Sequence, residues 1–112
     1  MSPISSQAYL KRATEGLLSN AIDYETIITK LDDGSSFVLN RLGTLIWNLM
    51  DGQRTIAEIA LAVCEKYDVT PETALSDTIE LAEGLLARQL VAIGAVPFAE
   101  NENGNDRRVE RF

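Results

Sequence analysis

The segment from Phe37 to Glu58 constrains the fold most, because it carries the end of a strand, a complete short helix and the start of another helix. Asn40 follows three strand-like residues and is a good N-cap for the leucine-rich run after it. An Asp-Gly pair ending at Gly52 stops that run, since glycine readily adopts a left-handed conformation. Thr55 and Glu58 have the spacing of a capping box. The segment therefore predicts strand, helix, turn and helix in direct succession.

The remaining sequence extends this unit on both sides. Alternating or β-branched runs with short turn sequences between them predict three strands, at residues 17–22, 26–31 and 36–39. Because the links are short, the strands should form an antiparallel meander. Helical periodicity predicts three helices, at residues 41–50, 56–67 and 71–89. A short closing strand is expected at 90–93. The predicted class is α+β, with a three-stranded antiparallel sheet followed by three helices.

The two ends of the chain lack this patterning. Residues 1–14 are polar and aperiodic, and we expect a flexible N-terminal arm. Residues 95–112 are also polar and aperiodic, and we expect a disordered tail. The folded domain is therefore expected over residues 15–94.

Composition excludes several classes of function. The 112 residues include one cysteine and no histidine, and the formal net charge is -7. Without histidine the commonest general base and metal ligand are absent, so we expect no catalytic site, no metal and no cofactor. The negative charge disfavours nucleic acid and anionic lipid as partners. A single cysteine fits a reducing compartment, and no apolar run is long enough to cross a membrane, so we expect a cytoplasmic protein.

The third helix carries two adjacent apolar stripes. They are Ala74, Thr78, Leu81 and Leu85, and beside them Leu75, Ile79, Ala82 and Leu86. Together they span an arc of ~160°, which is wider than a surface helix needs. One stripe should face the core. The second could cover a dimer contact, the C-terminal segment or a groove for an apolar ligand.

These motifs together resemble the PqqD-like proteins, also called RiPP recognition elements. The residues that carry the resemblance are FVLN at 37–40, G-x-x-I-W at 43–47, D-G-x-R-T-x-x-E-I-A at 51–60, Tyr67 and Asp77. The resemblance covers about residues 17–93. At Gly43 and Trp47 the sequence resembles stand-alone members of the family, which are found near radical-SAM enzymes or lasso-peptide maturation proteins.

This resemblance implies a winged-helix-like domain that binds the leader segment of a ribosomally made precursor peptide and presents it to a modifying enzyme. The leader would add as a strand to the edge of the third strand, with its apolar side chains against the third helix. The implied contact residues are Ser36, Phe37, Val38, Leu39, Leu75, Thr78, Ile79, Ala82 and Leu86. The partners are the leader and a radical-SAM or leader-peptidase type enzyme, with a homodimer possible.

Two other functions fit the same layout. A winged-helix DNA-binding regulator has a similar order of helices, but the third helix would turn an acidic face toward phosphate. That face carries Glu72, Asp77, Glu80 and Glu83. A plain dimerisation module would use the second apolar stripe as its interface. Trp47 is expected to pack between the helices and the sheet, because large aromatic side chains dominate small cores.

Overall fold

The structure, a computed structural model, describes residues 4–99. Within these residues, nine elements follow one another. They are β1 (Tyr9–Arg12), β2 (Leu17–Ile22), β3 (Glu25–Lys30), β4 (Ser36–Leu39), α1 (Arg41–Leu49), β5 (Asp51–Thr55), α2 (Ile56–Lys66), α3 (Pro71–Ala87) and β6 (Val91–Gly94). The α+β class, the antiparallel meander and the three helices are confirmed. No helix in the described part of the chain has the length and apolar character needed to cross a bilayer.

The predicted meander is the sheet β2-β3-β4, in which both pairs are antiparallel. At the turn between β2 and β3, Asp23 and Tyr24 have positive φ angles of 51° and 72°. Two positive φ angles in succession match the twist that a two-residue hairpin requires. In the turn before β4, the Asp33 carboxylate accepts hydrogen bonds from the Ser35 amide at 2.9 Å and hydroxyl at 2.8 Å. These bonds lower the pKa of Asp33.

A second antiparallel sheet, in the order β5-β1-β6, was missed by sequence analysis. Its central strand is β1, which lies within the expected N-terminal arm, so that expectation is wrong for Tyr9–Arg12. The side chain of Leu10 is fully buried, and its Cα pairs with that of Ile93 in β6. Four residues are too few to show a period, and both partner strands are distant in sequence. Residues 1–3 lie outside the described residues.

The expected C-terminal tail also begins with ordered contacts. The Phe98 amide donates to the carbonyl of Gly52 at 2.9 Å, and the Gln53 side chain donates to the carbonyl of Phe98 at 2.6 Å. Residues around Phe98 therefore pack on β5 and do not fit the expectation of disorder. The remainder of that segment, 100–112, lies outside the described residues.

The helices begin where their caps predict. The Asn40 side chain accepts from the Gly43 amide at 2.8 Å, and the Thr70 hydroxyl accepts from the Thr73 amide at 3.1 Å. The helix α3 ends before its predicted boundary because Gln89 has a φ of 62°. That left-handed residue lets the next amide bond back to the carbonyl of Leu85 at 2.9 Å, which closes the helix end.

One core lies between the two sheets and the helices. Its fully buried large side chains are Leu10, Ile28, Ile46, Met50, Ile56, Ile59, Val63, Thr78, Leu85 and Leu90. Trp47 is also buried there, as expected. Both α1 and α3 contribute side chains to this core, which fixes their positions in the domain.

Replacement of Thr55 by alanine tests the cap of α2. The Thr55 hydroxyl accepts from the Glu58 amide at 3.1 Å, and the Glu58 carboxylate accepts from the Thr55 amide at 2.8 Å. Thr55→Ala removes one of these bonds and should lower the free energy of unfolding by about 1 kcal/mol. Urea denaturation followed by circular dichroism measures the change. An unchanged midpoint would mean that the capping box does not stabilise the domain.

Candidate functional site

The strand β4 lies at an edge of its sheet. One side of its backbone pairs with β3, and no strand of the described residues pairs with the other side. The Lys30 amide donates to the carbonyl of Ser35 at 2.8 Å. This bond shows which residue pairs along the two strands are hydrogen-bonded to each other. Residues along an antiparallel pair alternate between bonding to the partner and pointing away from it. The backbone N–H and C=O groups of Ser36 and Val38 therefore point away from β3. They form a free edge that can accept another strand.

A groove of about 290 Å³ lies between β4, α1 and α3. It is lined by Phe37, Asn40, Leu42, Gly43, Ile46, Asp77, Glu80, Leu81 and Gly84. Most of this lining is apolar, and the carboxylates lie on the α3 side. The groove runs beside β4, so a peptide paired with that strand could place side chains in it.

Two glycines shape the groove in different ways. A Cβ atom at Gly43 would lie 3.3 Å from both the Asn40 Oδ1 and the Leu39 Cβ, so glycine allows the close approach of α1 to β4. A Cβ atom at Gly84 would meet nothing within 4 Å. Glycine within a helix costs about 1 kcal/mol relative to alanine. The position of Gly84 thus leaves open space in the groove at the expense of helix stability.

Charged side chains lie on both sides of Gly84 along the helix axis of α3. Asp77 and Glu80 line the groove on the N-terminal side of Gly84. The Arg88 guanidinium lies 4.6 Å from the centre of the Phe37 ring, on the C-terminal side. Arg88 therefore stacks on Phe37 of β4 and forms no ion pair with Asp77. The α3 wall is acidic towards one end and basic at the other.

The residues expected in β4 fall into two groups. Ser36 is exposed, Phe37 is half-buried in the groove and Val38 is 61% exposed. Leu39 is only 3% exposed, so its side chain belongs to the core. Phe37 and Leu39 share the core-facing side of the strand, and Val38 lies on the other face. Only the first three can offer side-chain surface to a ligand.

The residues expected on α3 are largely displaced from the groove. Thr78 and Ala82 are 0% exposed, and the Thr78 hydroxyl donates to the carbonyl of Ala74 at 2.8 Å. Neither side chain can contact a peptide. Leu75, Ile79 and Leu86 are half-buried against the core on the flank away from Gly84.

Sequence reasoning missed the α3 residues that do line the groove. Leu81 and Gly84 line the groove but are not among the contact residues that the resemblance implies. The flank from Asp77 through Leu81 to Gly84 has helical spacing. A glycine in the interior of a helix was the available signal, because it has a packing or functional reason when it is retained.

Comparison with known proteins identifies the family. The sequence model described as Coenzyme PQQ synthesis protein D (PqqD) matches residues 25–91. The chain belongs to the PqqD family. The resemblance drawn from the motifs is therefore confirmed, and the matched range runs from β3 to the start of β6.

A solved structure is similar to this PqqD-family chain in fold and sequence. It is "TbiB1 in Complex with the TbiA(beta) Leader Peptide", with a TM-score of 0.65 and 28% sequence identity. The similarity covers 72% of this chain and 93% of that chain. The search of curated proteins found no match.

Proposed function

We propose that this PqqD-family protein is a RiPP recognition element, a non-catalytic adaptor that captures the leader segment of a ribosomally synthesised precursor peptide. The leader adds as a strand to β4 and places apolar side chains in the groove between β4, α1 and α3. The adaptor then presents the peptide to a modifying enzyme of the radical-SAM or lasso-maturation type. It works in the cytoplasm and needs no cofactor or nucleic acid.

The free edge of β4 beside an apolar groove is the observation that carries this proposal. Strand addition uses exactly two features, an unpaired backbone edge for affinity and adjacent pockets for side-chain choice. Ser36 and Val38 supply the edge. Phe37, Leu81 and Gly84 supply part of the groove. The similar protein TbiB1 was solved in complex with a leader peptide, which supports leader binding by this protein.

Replacement of Val38 by proline tests the backbone contact. Proline removes the amide that points away from β3, so the ladder within the sheet keeps its bonds. Labelled leader peptides from short open reading frames beside the gene would be titrated with the protein and followed by fluorescence polarisation. We expect saturable binding to the native protein and at least about tenfold weaker binding to Val38→Pro, because a backbone hydrogen bond and local fit are lost together.

Val38→Thr is the matched control, since it keeps the amide and the β-branched shape. It should bind the leader with nearly native affinity. Both variants must retain the native circular dichroism spectrum and cooperative unfolding. Equal binding by the native protein and a folded Val38→Pro variant would exclude strand addition at β4. Absence of saturable binding to any neighbouring precursor would contradict the adaptor function itself.

A further inference from the structure

Two residues of α3 and the residue that caps its C-terminus face the groove region at equal intervals. Glu80, Gly84 and Arg88 are each four residues apart, so they follow one another by about 6 Å along the helix axis. Glu80 and Gly84 line the groove, and Arg88 stacks on Phe37 beside it. The helix thus offers an acidic, an open and a basic position in that order.

The central position is suited to a bulky apolar side chain. Gly84 has no side chain, and the space that a Cβ atom would enter there is open. Leu42, Ile46 and Leu81 form apolar walls around the same groove. A ligand side chain placed there would bury apolar surface, which stabilises the complex in proportion to the area removed from water.

The outer positions are available to charged ligand groups. Asp77 and Glu80 form no ion pair with another residue of the described chain, 4–99, and the same holds for Arg88. Asp77 is half-buried, so water screens it less than a fully exposed carboxylate. Basic and acidic side chains of a ligand could therefore pair at opposite ends of the groove.

An extended peptide has the matching repeat. Side chains on one face of a strand recur every second residue, at intervals of about 6.6 Å. This interval is close to the step of about 6 Å between positions four residues apart on a helix. A leader that pairs with β4 and runs along α3 can thus bring three alternate side chains opposite Glu80, Gly84 and Arg88.

We propose that the groove selects a leader with a bulky apolar residue flanked, two residues away on each side, by a basic residue facing Glu80 and an acidic residue facing Arg88. The proposal rests on the proposed function and names the class of leader that the site accepts. The charge order fixes the register of the peptide, because a shift by two residues places a charged group in the apolar centre.

The test uses a leader that binds the native protein. An alanine scan of that leader identifies the apolar residue whose loss weakens binding most. Two peptides are then made around it, one with lysine two residues before and glutamate two residues after, and one with the charges exchanged. We expect the native protein to prefer one order by about fivefold in Kd, as two exposed charge pairs would give.

Exchange of the protein charges should reverse this preference. The Glu80→Lys and Arg88→Glu double variant is expected to prefer the other peptide. Glu80→Lys alone, at an exposed position, should reduce the native preference, and it serves if the double variant does not fold. The preference should also fall as salt is raised from 50 mM to 500 mM, since exposed pairs are screened.

The outcomes separate this proposal from the function on which it rests. Equal affinity of the native protein for both peptides would overturn the charge-order proposal while leaving leader capture intact. A preference that both charge variants retain unchanged would overturn it as well. Failure of every neighbouring leader to bind would instead contradict leader capture.

Discussion

Truncation of Leu10 to alanine is expected to lower the free energy of unfolding by about 3 kcal/mol. The Leu10 side chain is fully buried and belongs to the core cluster, although it lies in a polar N-terminal segment. Its removal loses apolar burial and leaves a cavity, and such changes typically cost about 2–5 kcal/mol. Chemical denaturation, followed by tryptophan fluorescence of Trp47, measures the difference.

Leu18→Ala is the matched control, because it makes the same change on β2 at a side chain that is 55% exposed. It should alter the free energy of unfolding by no more than about 0.5 kcal/mol. Equal small effects of Leu10→Ala and Leu18→Ala would mean that β1 is not part of the core. The N-terminal segment would then be the loose arm that its sequence suggests.

Local sequence signals were sufficient for the meander and the helices. Asn40, Thr55 and Thr70 each accept the hydrogen bond expected of a cap, and these bonds involve residues only three positions away. The turns between the strands are equally local. Elements whose decisive contacts lie within a few residues could therefore be predicted from residue type and spacing alone.

The second sheet depends on contacts that no short segment contains. β1 pairs with β5 and β6, and its Arg12 side chain donates to the carbonyls of Trp47 and Asn48, both at 2.9 Å. Arg12 thereby donates to two carbonyls at the end of α1, and the Trp47 carbonyl also accepts from the Met50 amide. All of these partners lie more than thirty residues away from β1 in the sequence, and only the folded structure brings them close to it. A four-residue strand held by distant partners has no local periodic signature.

The residues predicted on α3 differ from the α3 residues that line the groove beside β4. Leu81 on one flank of the buried stripe and Leu75 and Ile79 on the other are all apolar, so the sequence could not decide which flank faces β4. Only the packing of α3 against α1 and β4 places Leu81 and Gly84 in the groove, and leaves Ile79 on the other side. Periodicity is read from the positions of apolar side chains, so it gives no signal for Gly84, which has no side chain.

Replacement of Gly84 by phenylalanine should abolish leader binding while the domain stays folded. The new side chain would enter the groove without a Cβ clash and occupy the space that we propose for the leader. It also replaces a poor helix former. We expect affinity to fall by more than about tenfold, because an apolar anchor of the ligand loses its pocket. Fluorescence polarisation and thermal unfolding of the same sample measure both properties.

Two controls decide what a loss of binding means. Gly84→Ala should raise the free energy of unfolding by up to about 1 kcal/mol and keep most of the affinity, since a methyl group fills little of the groove. Ser76→Phe adds the same ring beside Leu75 and Ile79, on the other flank of α3. It should leave binding unchanged. Loss of binding in Ser76→Phe with native affinity in Gly84→Phe would show that the leader binds on the flank of Leu75 and Ile79. The groove between β4, α1 and α3 would then not be the binding site.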